Sequence, residues 1–142
     1  MPRKAAVALL VDTAAMPRPT SSQQLGGPES DFVIVEWTDP GRSESDWIAP
    51  LHVHHEDDEA WHVLEGALRF RLGEETFEVG AGGGVLAPKG TPHAYGNARR
   101  GQMARYLLVM TPKIRALIQA LHEPGAEDYA RIFRAHDSEL LA

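Results

Sequence analysis

From Phe32 to Met110 the chain alternates between short apolar runs and clusters of turn-forming residues. Phe32–Trp37 (FVIVEW) is rich in β-branched and aromatic residues and is stopped by Asp39-Pro40-Gly41. Ala60–Leu64 is a second apolar run, closed by Glu65-Gly66. Ala67–Leu72 (ALRFRL) places Leu68, Phe70 and Leu72 on one face and Arg69 and Arg71 on the other, the period-two signature of a half-buried strand. Gly73-Glu74-Glu75 then predicts a hairpin into Thr76–Val79. Gly80–Gly84 is a glycine turn, Val85–Ala87 a short strand, and Pro88-Lys89-Gly90 a tight turn into a strand over Thr91–Gly96. Met103–Met110 (MARYLLVM) reads as a last, largely buried strand. Strands recurring every eight to twelve residues, with turn residues between them, predict an all-β barrel or sandwich.

The pattern changes on either side of this region. Beyond Thr111, Pro112 opens a helical stretch with Ile114, Leu117, Ile118 and Leu121 on one face. Pro124-Gly125 ends it, and residues 126–136 predict a second short helix with Tyr129, Ile132 and Phe133 on one side. Both helices are expected to pack outside the barrel. Before Phe32, residues 5–11 read as a strand and residues 16–30 as a loop dense in Pro, Ser and Gly. The expected organisation over residues 1–142 is thus one domain: a strand at 5–11, a barrel over about 30–111, and a helical tail over 112–138.

Composition narrows the chemistry. Twenty Asp and Glu against fourteen Lys and Arg give a net charge of −6, which disfavours nucleic acid and anionic membrane as partners. There is no cysteine, so disulfides, thiolate ligands and cysteine nucleophiles are excluded, and any metal site must use nitrogen and oxygen. The same absence fits a reducing cytoplasm. The apolar run after Arg3 and Lys4 is too short for a convincing secretion signal, and no run nears the ~20 residues of a membrane helix.

One stretch concentrates reactive side chains. His52, His54, His55, Glu56, Asp57, Asp58 and Glu59 fall within eight positions. Side chains two apart in a strand share a face, so His52 and His54 project together while Val53 and His55 project oppositely. Taken alone, the cluster reads first as a metal site, with a solvated acidic turn that happens to carry histidines as the alternative.

A second set of residues bears on that choice. The pattern His52-x-His54-x4-Glu59-x6-Gly66 is followed, after fifteen residues, by Gly82-x5-Pro88-x-Gly90-x2-His93-x3-Asn97. Together these resemble the two motifs of the cupin superfamily, in its small single-domain, conserved-barrel form. The first motif often opens on a glycine six residues before its first histidine, and Asp46 stands there instead. The resemblance covers residues 52–97 and implies a jelly-roll, or double-stranded β-helix, enclosing one divalent transition metal per chain. It implies His52, His54, Glu59 and His93 as ligands. Three imidazoles and one carboxylate suit Fe, Mn, Ni, Co, Cu or Zn without selecting among them.

Further expectations follow from strand phase. Trp61 and Tyr95 share phase with site residues and are candidates for a substrate pocket. Phe70 is a candidate too, although Phe70, Met103, Tyr106 and Met110 read first as core. His55 and His62 alternate outward, His122 and His136 lie in the tail, and Asp57 and Asp58 read as turn or rim carboxylates. Gly82–Gly84 is a turn and not a phosphate loop, because no Lys-Ser/Thr follows it. The functional expectation is dioxygenase-like or isomerase chemistry on a small organic molecule. Glu59 is then a candidate catalytic base if its apolar surroundings raise its pKa. The alternative is a non-catalytic module that binds a sugar, a metabolite or a signal, and a purely structural role is a third. A homodimer pairing through sheet edges and the strand at 5–11 is also expected.

Overall fold

A computed structural model describes residues 24–41 and 47–141. Two five-stranded antiparallel sheets face each other. In chain order the strands are β1 (Gln24–Leu25), β2 (Val33–Asp39), β3 (Ala49–His54), β4 (Glu59–Glu65), β5 (Ala67–Leu72), β6 (Glu75–Gly80), β7 (Gly84–Ala87), β8 (His93–Asn97), β9 (Ala104–Met110) and β10 (Ser138–Leu140). One sheet has the order β1-β2-β9-β4-β7 and the other β10-β3-β8-β5-β6. Two helices follow β9: α1 (Pro112–Leu121) and α2 (Tyr129–Arg134). This is an all-β jelly-roll barrel with two short helices outside its sheets.

Period-two alternation builds the core. Strand β9 lies between β2 and β4, and its Ala104, Tyr106, Leu108 and Met110 are all buried while the residues between them are only half so. Val33 and Val35 from β2, Trp61 and Val63 from β4, and Leu68 and Phe70 from β5 meet them. The β4–β5 turn depends on a glycine. Gly66 has φ +79°, and a Cβ there would lie 2.4 Å from the Met103 carbonyl oxygen, so the turn and the start of β9 can approach only without a side chain.

Strand β5 occupies the residues its alternation predicts, and β2, β4, β6, β7, β8 and β9 fall within two residues of expectation. Three features differ. The short strand β1 lies within the stretch read as loop and pairs with β2 at Val35 and Ile34. Helix α2 is shorter than predicted, capped by Asp128, whose side chain accepts from the Arg131 N–H. After it the chain makes a turn with Asp137 at φ +55° and forms β10, which adds to the edge of β3. The tail expected to be helical to 138 therefore ends as a strand. The strand expected over residues 5–11 lies outside the described residues.

Candidate metal centre and adjoining cavity

Strands β3, β4 and β8 bring four side chains together. His52 and His93 stand directly opposite each other in the β3–β8 ladder. Register shifts between Ala49 and His52, so the pairing is re-set at the histidine end of β3. His54 follows on the same face, and Glu59 enters from the first position of β4. All four are buried, and one ligand atom from each can be chosen so that all lie within 4.8 Å of one another. Two ligands on opposite sides of a first-row ion stand ~4.2 Å apart, given bonds of about 2.1 Å, so the group needs only a small contraction to close on one.

The second motif holds this geometry from behind. The Gly90 N–H donates to the His54 carbonyl oxygen at 2.7 Å, and the Lys89 N–H donates to Asp58 Oδ1 at 2.8 Å. The Pro88–Gly90 turn is thereby pinned to the end of β3 and the acidic turn after it. Asn97 closes the β8–β9 connection: its Nδ2 donates to Asp39 Oδ2 and to the Gln102 carbonyl, and its Oδ1 accepts from the Arg99 N–H. These motif positions shape the backbone around the four buried side chains.

Hydrogen bonds fix the histidine tautomers. Nδ1 of His52 lies 2.6 Å from the Pro50 carbonyl oxygen, and Nδ1 of His93 lies 2.9 Å from that of Thr91. A carbonyl only accepts, so both Nδ1 atoms carry the proton. His54 Nδ1 is 2.7 Å from Ser138 Oγ, and Ser138 gives its own proton to the His136 carbonyl at 3.1 Å. Ser138 Oγ therefore accepts from His54 Nδ1–H. With every Nδ1 protonated, each neutral ring presents an Nε2 lone pair. Yet His54 Nε2 and His93 Nε2 both lie 3.1 Å from Glu59 Oε1. Lone pairs facing a carboxylate at that distance repel unless a positive charge stands among them, either protons on the rings or a metal cation. The donor set fits a cation held by three Nε2 atoms and one carboxylate oxygen.

The electrostatics agree. Burial first, then the charges of His93 and His54, lower the His52 pKa from 6.5 to about 4 against the opposing effect of Glu59. His52 is accordingly a neutral, ligand-ready imidazole. For Glu59 burial pushes the pKa up, but in the metal-free site hydrogen bonds donated by His54 and His93 with Nε2 protonated as well outweigh it and hold the carboxylate down at about 2. The raised pKa that a general base would need is not found. Apolar neighbours supply the desolvation as expected, and the two imidazoles override it.

A family model described as a cupin domain matches residues 40–110, half of the chain. The chain belongs to the cupin family. Solved structures agree on the fold. The cupin domain of Cnp3 from Schizosaccharomyces pombe is 16% identical, with a TM-score of 0.53 over 75% of this chain and 67% of that one. A double-stranded β-helix protein from Klebsiella pneumoniae is 22% identical, with a TM-score of 0.50 over 67% of this chain and 82% of that one. The polyketide cyclase RemF from Streptomyces resistomycificus is 30% identical, but the match spans 59% of this chain and 57% of that one at a TM-score of 0.48, an overlap that bears on neither activity nor substrate here. No curated protein matches the sequence.

In this cupin the histidine group opens onto a cavity of about 1130 Å³, whose lining includes His52, His54 and Glu59. Helices α1 and α2 form one wall through Ile114, Leu117 and Phe133. The Phe133 ring lies 5.5 Å from that of His52, so the helices outside the sheets reach the site itself. Tyr95 lines the cavity as expected of a pocket residue. Its hydroxyl is 2.9 Å from that of Tyr106, which also lines the cavity although its strand phase suggested core alone. Burial pushes both phenols up, so neither ionises at ordinary pH.

Trp61 and Phe70 are not among the lining residues. Trp61 packs edge-on to His93 and Phe70, and Phe70 stacks between Tyr95 and Phe77, so both support the site from the core. His55 and His62 face outward. Asp58 is exposed, whereas Asp57 is nearly buried, with Oδ2 3.9 Å from Lys113 Nζ. Ser138 is the site residue that sequence reading missed. A three-residue strand 84 positions from its histidine leaves no periodic signal.

Proposed function

We propose that this cupin holds one divalent transition metal ion through His52, His54, Glu59 and His93 and uses it on a small organic molecule in the adjoining cavity. The observation that carries the reading is the tautomer pattern. Three histidines commit Nδ1 to protein acceptors, which leaves each Nε2 free as a ligand, and two of them, His54 and His93, place Nε2 against one buried carboxylate oxygen. When bound, the metal supplies a Lewis acid or a place for oxygen and substrate to meet, and dioxygenase-like chemistry on an aromatic or enolisable substrate is the favoured reaction. The protein's own part is to exclude water with the apolar helix wall and to offer the Tyr95–Tyr106 hydroxyl pair as neutral hydrogen-bonding groups. Glu59 serves as a ligand. A base role would first require it to leave both imidazoles, since its pKa while held is about 2.

Oxygen uptake by protein reconstituted separately with each metal, across a panel of enolisable and aromatic substrates, tests the reaction. Uptake above that of the His54→Ala protein supports it, and uptake no greater than that control refutes it. The second reading, a binding or sensing module for a sugar or metabolite, rests on the size and apolar lining of the cavity, and a ligand retained through purification without turnover would favour it. The cysteine-free composition supports a cytoplasmic location. A homodimer pairing through sheet edges is also proposed.

A further inference from the structure

The charges around the cavity are unevenly satisfied. Asp39 lines it, but its Oδ2 already accepts from the Gly41 N–H and Asn97 Nδ2. Glu59 is held by His54 and His93, and Glu123, just beyond the end of α1, lines the cavity from an exposed position. Arg115, on α1, is the Lys or Arg side chain among the described lining residues. Its Nε donates to the neutral side-chain oxygen of Gln24 at 2.9 Å, and its guanidinium carbon lies 5.9 Å from the centre of the Trp37 ring, itself part of the lining. No carboxylate pairs with it among the described residues. Arg105, on β9, shows the contrast, bonding both Glu36 and Glu65. Partial burial lowers the pKa of Arg115, a cost that no anion among its described partners offsets.

We propose that Arg115 is the carboxylate anchor of the cavity, and that the ligand is a small organic acid with an apolar body. The inference rests on the reading of this cavity as the ligand site. The terminal nitrogens of a guanidinium form a planar fork that matches a carboxylate in two parallel hydrogen bonds. Beyond it the walls turn apolar, with Trp37, Leu108, Ile114, Leu117 and Phe133, which suits an aryl or alkyl body extending inward to the histidines. A phosphate ester fits less well. It brings close to two negative charges to a lining with one such cation and with Asp39, Glu59 and Glu123 among its carboxylates.

The test uses a matched probe pair, 3-phenylpropanoate and 3-phenylpropanamide, titrated by calorimetry into wild-type and Arg115→Gln protein, each with and without zinc. The expected result is that wild-type protein binds the acid at least tenfold tighter than the amide. Arg115→Gln should bring that ratio to within about twofold by weakening the acid alone, with an unchanged melting temperature. Arg115→Lys, which keeps the charge but not the fork, should fall between. A preference for the acid that survives in Arg115→Gln overturns the proposal, because the carboxylate is then held elsewhere. Wild-type protein that binds both probes equally, or neither, also overturns it. Zinc content measured on the same samples tests the metal centre separately, since Arg115 is not a ligand and the acid-to-amide ratio is read on metal-free protein as well.

Discussion

Replacing Ser138 by alanine isolates the contribution of the C-terminal strand to the metal centre. Ser138 Oγ is buried, accepts from His54 Nδ1–H at 2.7 Å and passes its own proton to the His136 carbonyl. In Ser138→Ala the Nδ1–H loses its acceptor at a buried position, at a cost of about 1–3 kcal/mol. The imidazole can recover part of this by moving the proton to Nε2, where Glu59 Oε1 accepts it 3.1 Å away. That tautomer has no lone pair for a metal, so binding must first reverse it. Loss of such an outer partner of a ligating histidine costs roughly 10–100-fold in metal affinity. Zinc competition against a chromophoric chelator measures this directly. Ser138→Thr, which keeps the hydroxyl, should retain most of the affinity. If folded Ser138→Ala protein binds zinc within twofold of wild type, the tautomer argument is wrong.

Acid should weaken the metal-free fold in a defined window. His52 takes its proton at pH about 4 when folded and 6.5 when unfolded, so the unfolded state binds more protons between those values. Its contribution is complete above 6.5 and is lost as pH falls toward 4. That loss is on the order of 3 kcal/mol, at about 1.4 kcal/mol per tenfold change in proton affinity. Glu59 acts in the same sense from 4.5 down to about 2. A urea midpoint that stays flat from pH 7 to 4.5 would contradict the His52 window, and one that stays flat from pH 4.5 to 2.5 would contradict that of Glu59. Gly66→Ala should lower that midpoint by roughly 2 kcal/mol or more, because its φ is +79° and Met103 O blocks the Cβ position; an unchanged midpoint would show that the turn relaxes freely. Light scattering should return twice the mass of the 15.6 kDa chain, and a monomer at working concentrations would exclude the dimer.

What was legible in the sequence was local. Strand β5 alternates, so its register could be read, and His52 and His54 could be placed on one face from their spacing alone. What escaped was set by long-range pairing. Strand β10 is three residues with no pattern of its own, and it exists because the edge of β3 accepts it. Strand phase told which side chains turn inward but not how far along the barrel they lie. Trp61 and Phe70 therefore sit behind the site, whereas Trp37 and Tyr106 line the cavity. Apolar neighbours correctly indicated desolvation of Glu59. The sign of its shift depends on two Nε2 atoms 3.1 Å away, which only the assembled fold shows.

Whether His52, His54, Glu59 and His93 hold a metal is read from elemental analysis by mass spectrometry of protein purified without chelators, and of the same protein dialysed against each first-row metal. About one transition metal ion per chain is expected in wild-type protein, and little or none in His52→Ala and His93→Ala proteins that remain folded. Wild-type protein that carries no metal and takes none up would contradict the metal site, as would histidine variants that retain the full complement.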